Sequence, residues 1–279
     1  MLVQLAVGDA YGATFEYAPA SFVAAGNTLA DYSCIPPRPG RYTDDTQMTI
    51  AIAEALISGE PWTPENLADR FFNAFHRDPR AGYATRFHAL LREVRDGQDL
   101  LARLRPNSDK SGAAMRAGPI GLLPTVADVL HHTEVQARIT HDTPLGVEAG
   151  RAAALAVHYC HNDHGPVSEV ATWVDDRLGS TGRWAEPWTG SVGAQGWMSV
   201  RAALTALGSS TSLREILRTS VAFCGDVDTV AAIALAAASC STQVTDDLPE
   251  VLYADLENDS YGRDFLHELD ARLFAWARP

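Results

Sequence analysis

The sequence predicts an all-α fold, a single helical domain over residues 1–279. Three observations carry this. Cap signals and apolar periodicity of the helical kind account for most of the chain, and no alternating strand of useful length stands out. Two runs, residues 47–57 and 230–238, are apolar on nearly every side, the pattern of buried helices. In the first, after Gln47, the residues Met48, Ile50, Ala51, Ile52, Ala53, Ala55, Leu56 and Ile57 leave only Thr49 and Glu54 polar; the second carries no charge. A helix of alanines has a thin waist and fits the middle of a bundle.

A chain of 279 residues can bury a substantial core. Its 22 Lys and Arg against 35 Asp and Glu give a formal net charge of -13. That balance argues against a broad nucleic-acid-binding face, though not against a pocket for a nucleotide. No apolar stretch approaches the length of a membrane span. Residues 1–7 carry no Lys or Arg and too short an apolar run for a secretory signal, so a cytoplasmic protein is expected. Cys34, Cys160, Cys224 and Cys240 form no CxxC pair, and reduced, mostly buried thiols are expected. A monomer is the default.

In chain order, residues 5–17 read as a helix with Gly8, Gly12 and Glu16 on one face. The glycines admit a second helix and Glu16 reaches the edge of that contact, with Asp9 on the neighbouring face. Residues 19–42, with Gly26, Pro36, Pro37, Pro39 and Gly40, read as a loop. Thr43 then caps the first buried helix, and Asp44 and Asp45 lie in its first turn. Gly59 and Pro61 stop it, Thr63-Pro64-Glu65 starts another helix to Ala74, residues 78–83 turn, and 85–94 are helical.

Residues 107–112 form a small polar loop running into Ala113, a weak signal for an anion held by backbone N–H groups. The loop lacks both GxGxxG and the P-loop lysine spacing. Thr140-His141 precedes an alanine-rich helix over 146–159. His158, Cys160, His161 and His164 fit no standard zinc spacing. Residues 176–196, with Trp184, Trp188 and three glycines from 182 to 193, read as a loop closing on a helix over 198–207. Residues 212–224 are helical, and Gly225-Asp226-Val227-Asp228-Thr229 opens the second buried helix. A helix from Pro249 to Asn258 follows. In the last helix Phe265, Leu266, Leu269, Leu273, Phe274 and Trp276 dock on the core.

Thr and Asp are ordinary capping residues, but two buried helices with acidic starts are best explained if the starts face each other. Two carboxylates about 5 Å apart repel by about 3 kcal/mol at an effective dielectric of about 20. Several such pairs among Glu16, Asp44, Asp45, Asp226 and Asp228 would rival a domain's stability of about 5 to 15 kcal/mol. Protons or metal must neutralise them, and near neutral pH metal is the better agent. Donors that are all oxygen, Thr43 and Thr229 included, suit magnesium, manganese or calcium. Five carboxylates are more than one dication needs and come near balance with two.

Five stretches, in order and spanning nearly the whole chain, resemble the ADP-ribosylglycohydrolase family. They are Gly8-Asp9-Ala10-Tyr11-Gly12 with Glu16; Thr43-Asp44-Asp45-Thr46-Gln47-Met48; Gly112-Ala113-Ala114-Met115-Arg116 with Pro119-Ile120-Gly121; Thr140-His141; and Gly225-Asp226-Val227-Asp228-Thr229 with Ala231-Ala232-Ile233. The resemblance implies an all-α fold around two Mg2+ ions, with Mn2+ as a possible substitute, that hydrolyses the bond between C1'' of ADP-ribose and an acceptor. It implies Thr43, Asp44, Asp45, Asp226, Asp228 and Thr229 as metal ligands. Glu16 matches a switchable ligand that, with Asp44 and Asp45, activates water or the scissile bond. Ser111, Gly112 and Ala113 would hold the diphosphate, with Met115 nearby, and Gly82, Tyr83 and His141 would contact ribose or diphosphate. The partners implied are ADP-ribose and an ADP-ribosylated substrate.

The sequence departs from the family pattern at Lys110-Ser111-Gly112, where Gly-Asn-Gly or Gly-Cys-Gly is usual, and at Ala81-Gly82-Tyr83-Ala84, where Arg-Gly-Tyr-Gly is usual. The chain also starts almost inside the first motif, so a leading part of the first helix is expected to be missing. Two other readings exist. One is a non-catalytic ADP-ribose binder of the same fold. The other takes Asp226 and Asp228 as the DxDx(T/V) of an aspartyl phosphatase. That motif should end an early strand with a Rossmann-like domain behind it, and only residues 230–279 follow here.

Overall fold

The structure is a computed structural model that describes residues 1–32 and 39–278; Cys34, Pro36 and Pro37 lie outside the described residues. In chain order its helices are α1 (Leu2–Gly12), α2 (Ala20–Gly26), α3 (Asp44–Ile57), α4 (Pro64–Arg77), α5 (Thr85–Glu93), α6 (Gly97–Arg103) and α7 (Gly112–Met115), followed by α8 (Val126–Arg138), α9 (Pro144–His161) and α10 (Val170–Leu178). The chain ends with α11 (Gly196–Gly208), α12 (Leu213–Ala222), α13 (Val227–Ala238), α14 (Glu250–Ala254) and α15 (Arg263–Ala277). Short 3-10 turns lie at Gly118–Leu122 and Val167–Glu169, and no strand occurs among the described residues beyond isolated bridges.

Local chemistry sets most of the boundaries. Thr63 and Thr143 cap α4 and α9 by accepting from Asn66 N and Gly146 N, with Pro64 and Pro144 at the first helical positions. The sequence reading leaves α2, α6, α8 and α10 unmarked. Two of these carry plain caps, Asp96 Oδ1 accepting from Asp99 N at 2.8 Å and Thr125 Oγ1 from Asp128 N at 3.1 Å. The expected loop over 19–42 therefore includes a helix, α2, and the Trp-bearing loop starts only after α10.

The two apolar runs lie at the centre. Every residue of α13 is buried, and α3 is buried from Asp44 to Ala53. α1 lies along α13, α11 and α12 flank it, and α3 faces it across the end where both helices begin. α15 rests on α1 and α3 through Leu266, Leu269 and Leu273, spaced three and four residues apart. Phe265 and Phe274 are partly buried, but Trp276 is 39% exposed and faces outward instead of docking. No helix of the described residues is long and apolar enough to cross a membrane.

Candidate metal and active site

The site is built where α1 ends and α3 and α13 begin. Gly8 and Gly12 let two backbones meet: a Cβ on Gly8 would lie 2.7 Å from Ala231 O, and one on Gly12 would strike the Asp228 backbone. α1 stops at Gly12 instead of running to Tyr17, with Ala13 N donating to Asp9 O at 2.8 Å. Tyr17 then adopts φ 50°, uncommon for an aromatic residue, and donates its N–H to Gly225 O at 2.9 Å. Glu16 is thus delivered by a turn and not by a helix face. One carboxylate oxygen each of Glu16, Asp226 and Asp228 lies within 4.8 Å of the other two, Glu16 exposed and the aspartates buried.

Thr43 occupies the N-cap position of α3, but its hydroxyl makes no cap bond. It donates to Asp9 Oδ1 at 2.8 Å, and Asp9 does the capping, accepting from the N–H groups of Thr43 and Thr46 and from the Thr46 hydroxyl. Asp9 is fully buried, and sequence reasoning gave it no role; its place inside the first motif was the available signal. Asp44 packs on Gly82, whose φ of 101° and missing side chain leave room for the carboxylate. On α13, Asp226 Oδ2 accepts from Ser199 Oγ at 2.9 Å, and Asp228 Oδ1 accepts from Thr229 N at 2.8 Å. The Thr229 hydroxyl faces Asp226 Oδ1 at 3.5 Å. Ser199, fully buried on α11, had no sequence signal.

These acids disfavour one another's charge. Asp44, Asp45 and Asp228 are pushed well above the ordinary carboxylate range, first by burial and then by neighbouring carboxylates. Among the charges acting on Asp45, that of Asp228, across the gap between the two helix starts, is the largest. Asp226 is raised by burial against the opposing hydrogen bonds of Ser199 and Ser111. Glu16 is raised to about 7, by desolvation, then by Asp226 and Asp9. Asp45 Oδ1 is buried without a hydrogen-bond partner. An orphaned carboxylate oxygen in a set of mutually crowded carboxylates fits a hard dication.

The other expected contact residues surround this cluster. The Ser111 hydroxyl reaches Asp226, and Gly112 lies under the ring of His141. Ala113 and Met115 are buried; the Ala113 carbonyl accepts from Gln136 Nε2 at 2.9 Å and that of Met115 from Thr49 Oγ1 at 3.2 Å. Tyr83 is buried and its hydroxyl donates to Gln47 Oε1 at 2.6 Å. The histidines around Cys160 serve packing: His158 Nδ1 lies 3.0 Å from Gly121 O, and His164 stacks on Trp173 at 5.0 Å. Among the described residues the metal-capable group is Glu16, Asp226 and Asp228.

The Trp-bearing loop ties two parts of the site together. Gly196 N donates to Asp109 O at 2.9 Å, so the loop's end holds the polar 107–112 segment. Val192 N donates to Cys224 O at 2.8 Å and Val192 O accepts from Asp226 N at 3.1 Å. Gly225, at φ 92°, admits this contact; a Cβ there would strike Val192 O.

The ADP-ribosylglycohydrolase family model matches residues 1–278. ADP-ribosyl-[dinitrogen reductase] glycohydrolase of Rhodospirillum rubrum is 27% identical over 96% of this chain and 92% of its own length. ADP-ribosylhydrolase ARH3 is 33% identical in Mus musculus and 32% in Homo sapiens, over 54% of this chain. The chain spans just under half the length of these two relatives, 45% and 46%. A solved structure of an ADP-ribosylglycohydrolase-related protein complex shares the fold, with a TM-score of 0.72 at 23% identity, covering 99% of this chain and 96% of that one. Matched by one family model over residues 1–278, with Glu16, Asp226 and Asp228 gathered beside the start of α13, this chain belongs to the ADP-ribosylglycohydrolase family.

Proposed function

We propose that the protein is a magnesium-dependent hydrolase that releases ADP-ribose from a modified protein, nucleic acid or small molecule by cleaving the C1'' glycosidic bond. The observation that carries the reading is the group formed by Glu16, Asp226 and Asp228 opposite Asp44 and Asp45, mutually raised in pKa and with Asp45 Oδ1 unpartnered. Thr43, Asp44, Asp45, Asp226, Asp228, Thr229 and Glu16 would hold two Mg2+ ions, with Mn2+ able to substitute. When bound, these ions offset the carboxylate charge and polarise ribose hydroxyls.

The chain's own residues supply the rest. Glu16, the exposed acid with a raised pKa, accepts at its carboxylate the proton of the water that bonds to C1'' as the C1''–acceptor bond breaks, and a proton is returned to the departing acceptor. Asp44 and Asp45, at the start of α3, would help hold the ions and so fix where the distal ribose sits. Gly112 and Ala113, whose N–H groups make no backbone hydrogen bond among the described residues, hold diphosphate oxygens together with Ser111. His141 adds a side-chain contact, and Gly82, Tyr83 and Met115 shape the pocket wall. The 179–195 loop, part of it exposed, meets the acceptor.

The test is ADP-ribose release from a panel of defined ADP-ribosylated proteins, nucleic-acid ends and small molecules, with Mg2+ and with EDTA. Release that needs the metal supports the reading. Calorimetric binding of ADP-ribose without turnover of any substrate would make the protein a non-catalytic binder.

A further inference from the structure

We propose that Arg116 and Thr140 are positioning residues that lock His141 in its neutral Nε2–H tautomer, so that the ring presents a hydrogen-bond donor to an anionic oxygen held above Gly112. This rests on the reading above for the identity of that anion, the substrate diphosphate.

Arg116 is a buried cation, 1% exposed, with no carboxylate partner among the described residues. Its Nε donates to Gln136 Oε1 at 2.6 Å, one Nη donates to Gln136 O at 3.1 Å and to Thr140 Oγ1 at 2.8 Å, and its guanidinium lies 4.6 Å over the Phe71 ring. A guanidinium only donates, so Thr140 Oγ1 is the acceptor in that bond. The hydroxyl has one hydrogen left to give. Its other neighbour is His141 Nδ1 at 2.7 Å, and no further acceptor lies within reach of it among the described residues.

The Thr140 hydrogen therefore goes to Nδ1, and the single ring proton sits on Nε2. Protonation of both nitrogens is opposed by burial and by the nearby guanidinium, which hold the His141 pKa down at about 3. The Nε2 edge has no hydrogen-bond partner in the protein among the described residues. It lies over Gly112, where an added Cβ would come 2.9 Å from Cε1 and 3.3 Å from Nε2. The order Arg116, Thr140, His141 thus ends in a donor aimed above the polar loop. The opposite tautomer would turn a lone pair toward an anion.

Ring-nitrogen NMR of 15N-labelled protein tests this directly, with His141 assigned by the signal lost in His141→Gln. The wild type and Thr140→Ser should show Nδ1 unprotonated and Nε2 protonated at neutral pH, and Thr140→Val should show a mixture. Thr140→Val should weaken ADP-ribose binding and raise KM about tenfold with kcat nearly unchanged, and Thr140→Ser should restore both. Wild-type Nδ1–H, or a Thr140→Val spectrum identical to wild type, overturns the proposal. If Thr140→Val fails to fold, the wild-type and Thr140→Ser spectra decide. Failure of wild type to bind ADP-ribose would instead count against the proposed function, and the ring spectrum, which needs no ligand, still decides the tautomer.

Discussion

Asp9 caps the helix on which Thr46 sits: its Oδ2 accepts the Thr46 N–H at 3.0 Å and the Thr46 hydroxyl at 2.6 Å, across thirty-seven positions of sequence. With both oxygens bonded to the start of α3, Asp9 fixes where Asp44 and Asp45 point. It is a support for the site and not one of its ligands.

Replacing it should therefore loosen α3. Asp9→Ala is expected to lower unfolding stability by about 2 kcal/mol or more, since it removes a cap and leaves buried donors without an acceptor. Urea denaturation measures this. An unchanged midpoint would mean that another group caps the helix.

Asp45→Asn and Asp228→Asn are expected to do opposite things to stability and function. Each should reduce turnover by more than about a hundredfold, beyond the usual cost of losing an outer-shell partner. In EDTA each should melt higher than wild type, because an amide sits among buried carboxyls without having to take up a proton on folding. Wild-type activity, or a lower melting point in EDTA, would contradict the assignment.

The acid cluster also sets a pH dependence for the metal-free protein. Glu16 titrates near 4.5 when free and at about 7 in the fold, so the folded state holds a proton that the unfolded state has released. Stability from this group is greatest below the lower value and falls as pH rises through the higher one. Melting in EDTA should be higher near about pH 5.5 than near about pH 7.5, and added Mg2+ should reduce or reverse that order. A melting point in EDTA that rises over this range would refute it.

Ser199→Ala removes the hydroxyl that fixes Asp226 Oδ2 while leaving α11 intact. Metal affinity, read by calorimetry, should drop by about tenfold to a hundredfold with little loss of helicity. Unaltered affinity would show that Asp226 is held by its backbone alone.

Composition and pattern were enough to read the helical class and the two central helices, because an uncharged run of that length has few other places to go. The meeting of the acidic starts was also legible, from electrostatic cost. Glu16 was harder. Its spacing from Gly12 implied one continuous helix face, but the left-handed Tyr17 and its bond to Gly225 bring the side chain to the site by another route. Asp9 and Ser199 act through partners remote in sequence, which local pattern does not encode. α6 and α8 carry ordinary caps at Asp96 and Thr125, a signal that is local and present in the sequence.

The junction of Val192 with Gly225 divides the neighbouring loop into two regimes of sequence change. Upstream, at the Gly182 and Gly190 bends, an added Cβ would meet nothing, so the chain there has room for sequence change. From Val192 onward the same segment is stitched to the backbone of Asp226 and to Asp109, so a shift in register there would displace the start of α13 and the 107–112 loop at once. Between the two bends Trp184 and Trp188 are themselves pinned, to Asp175 and Thr205, so latitude in this loop is confined to its glycine corners.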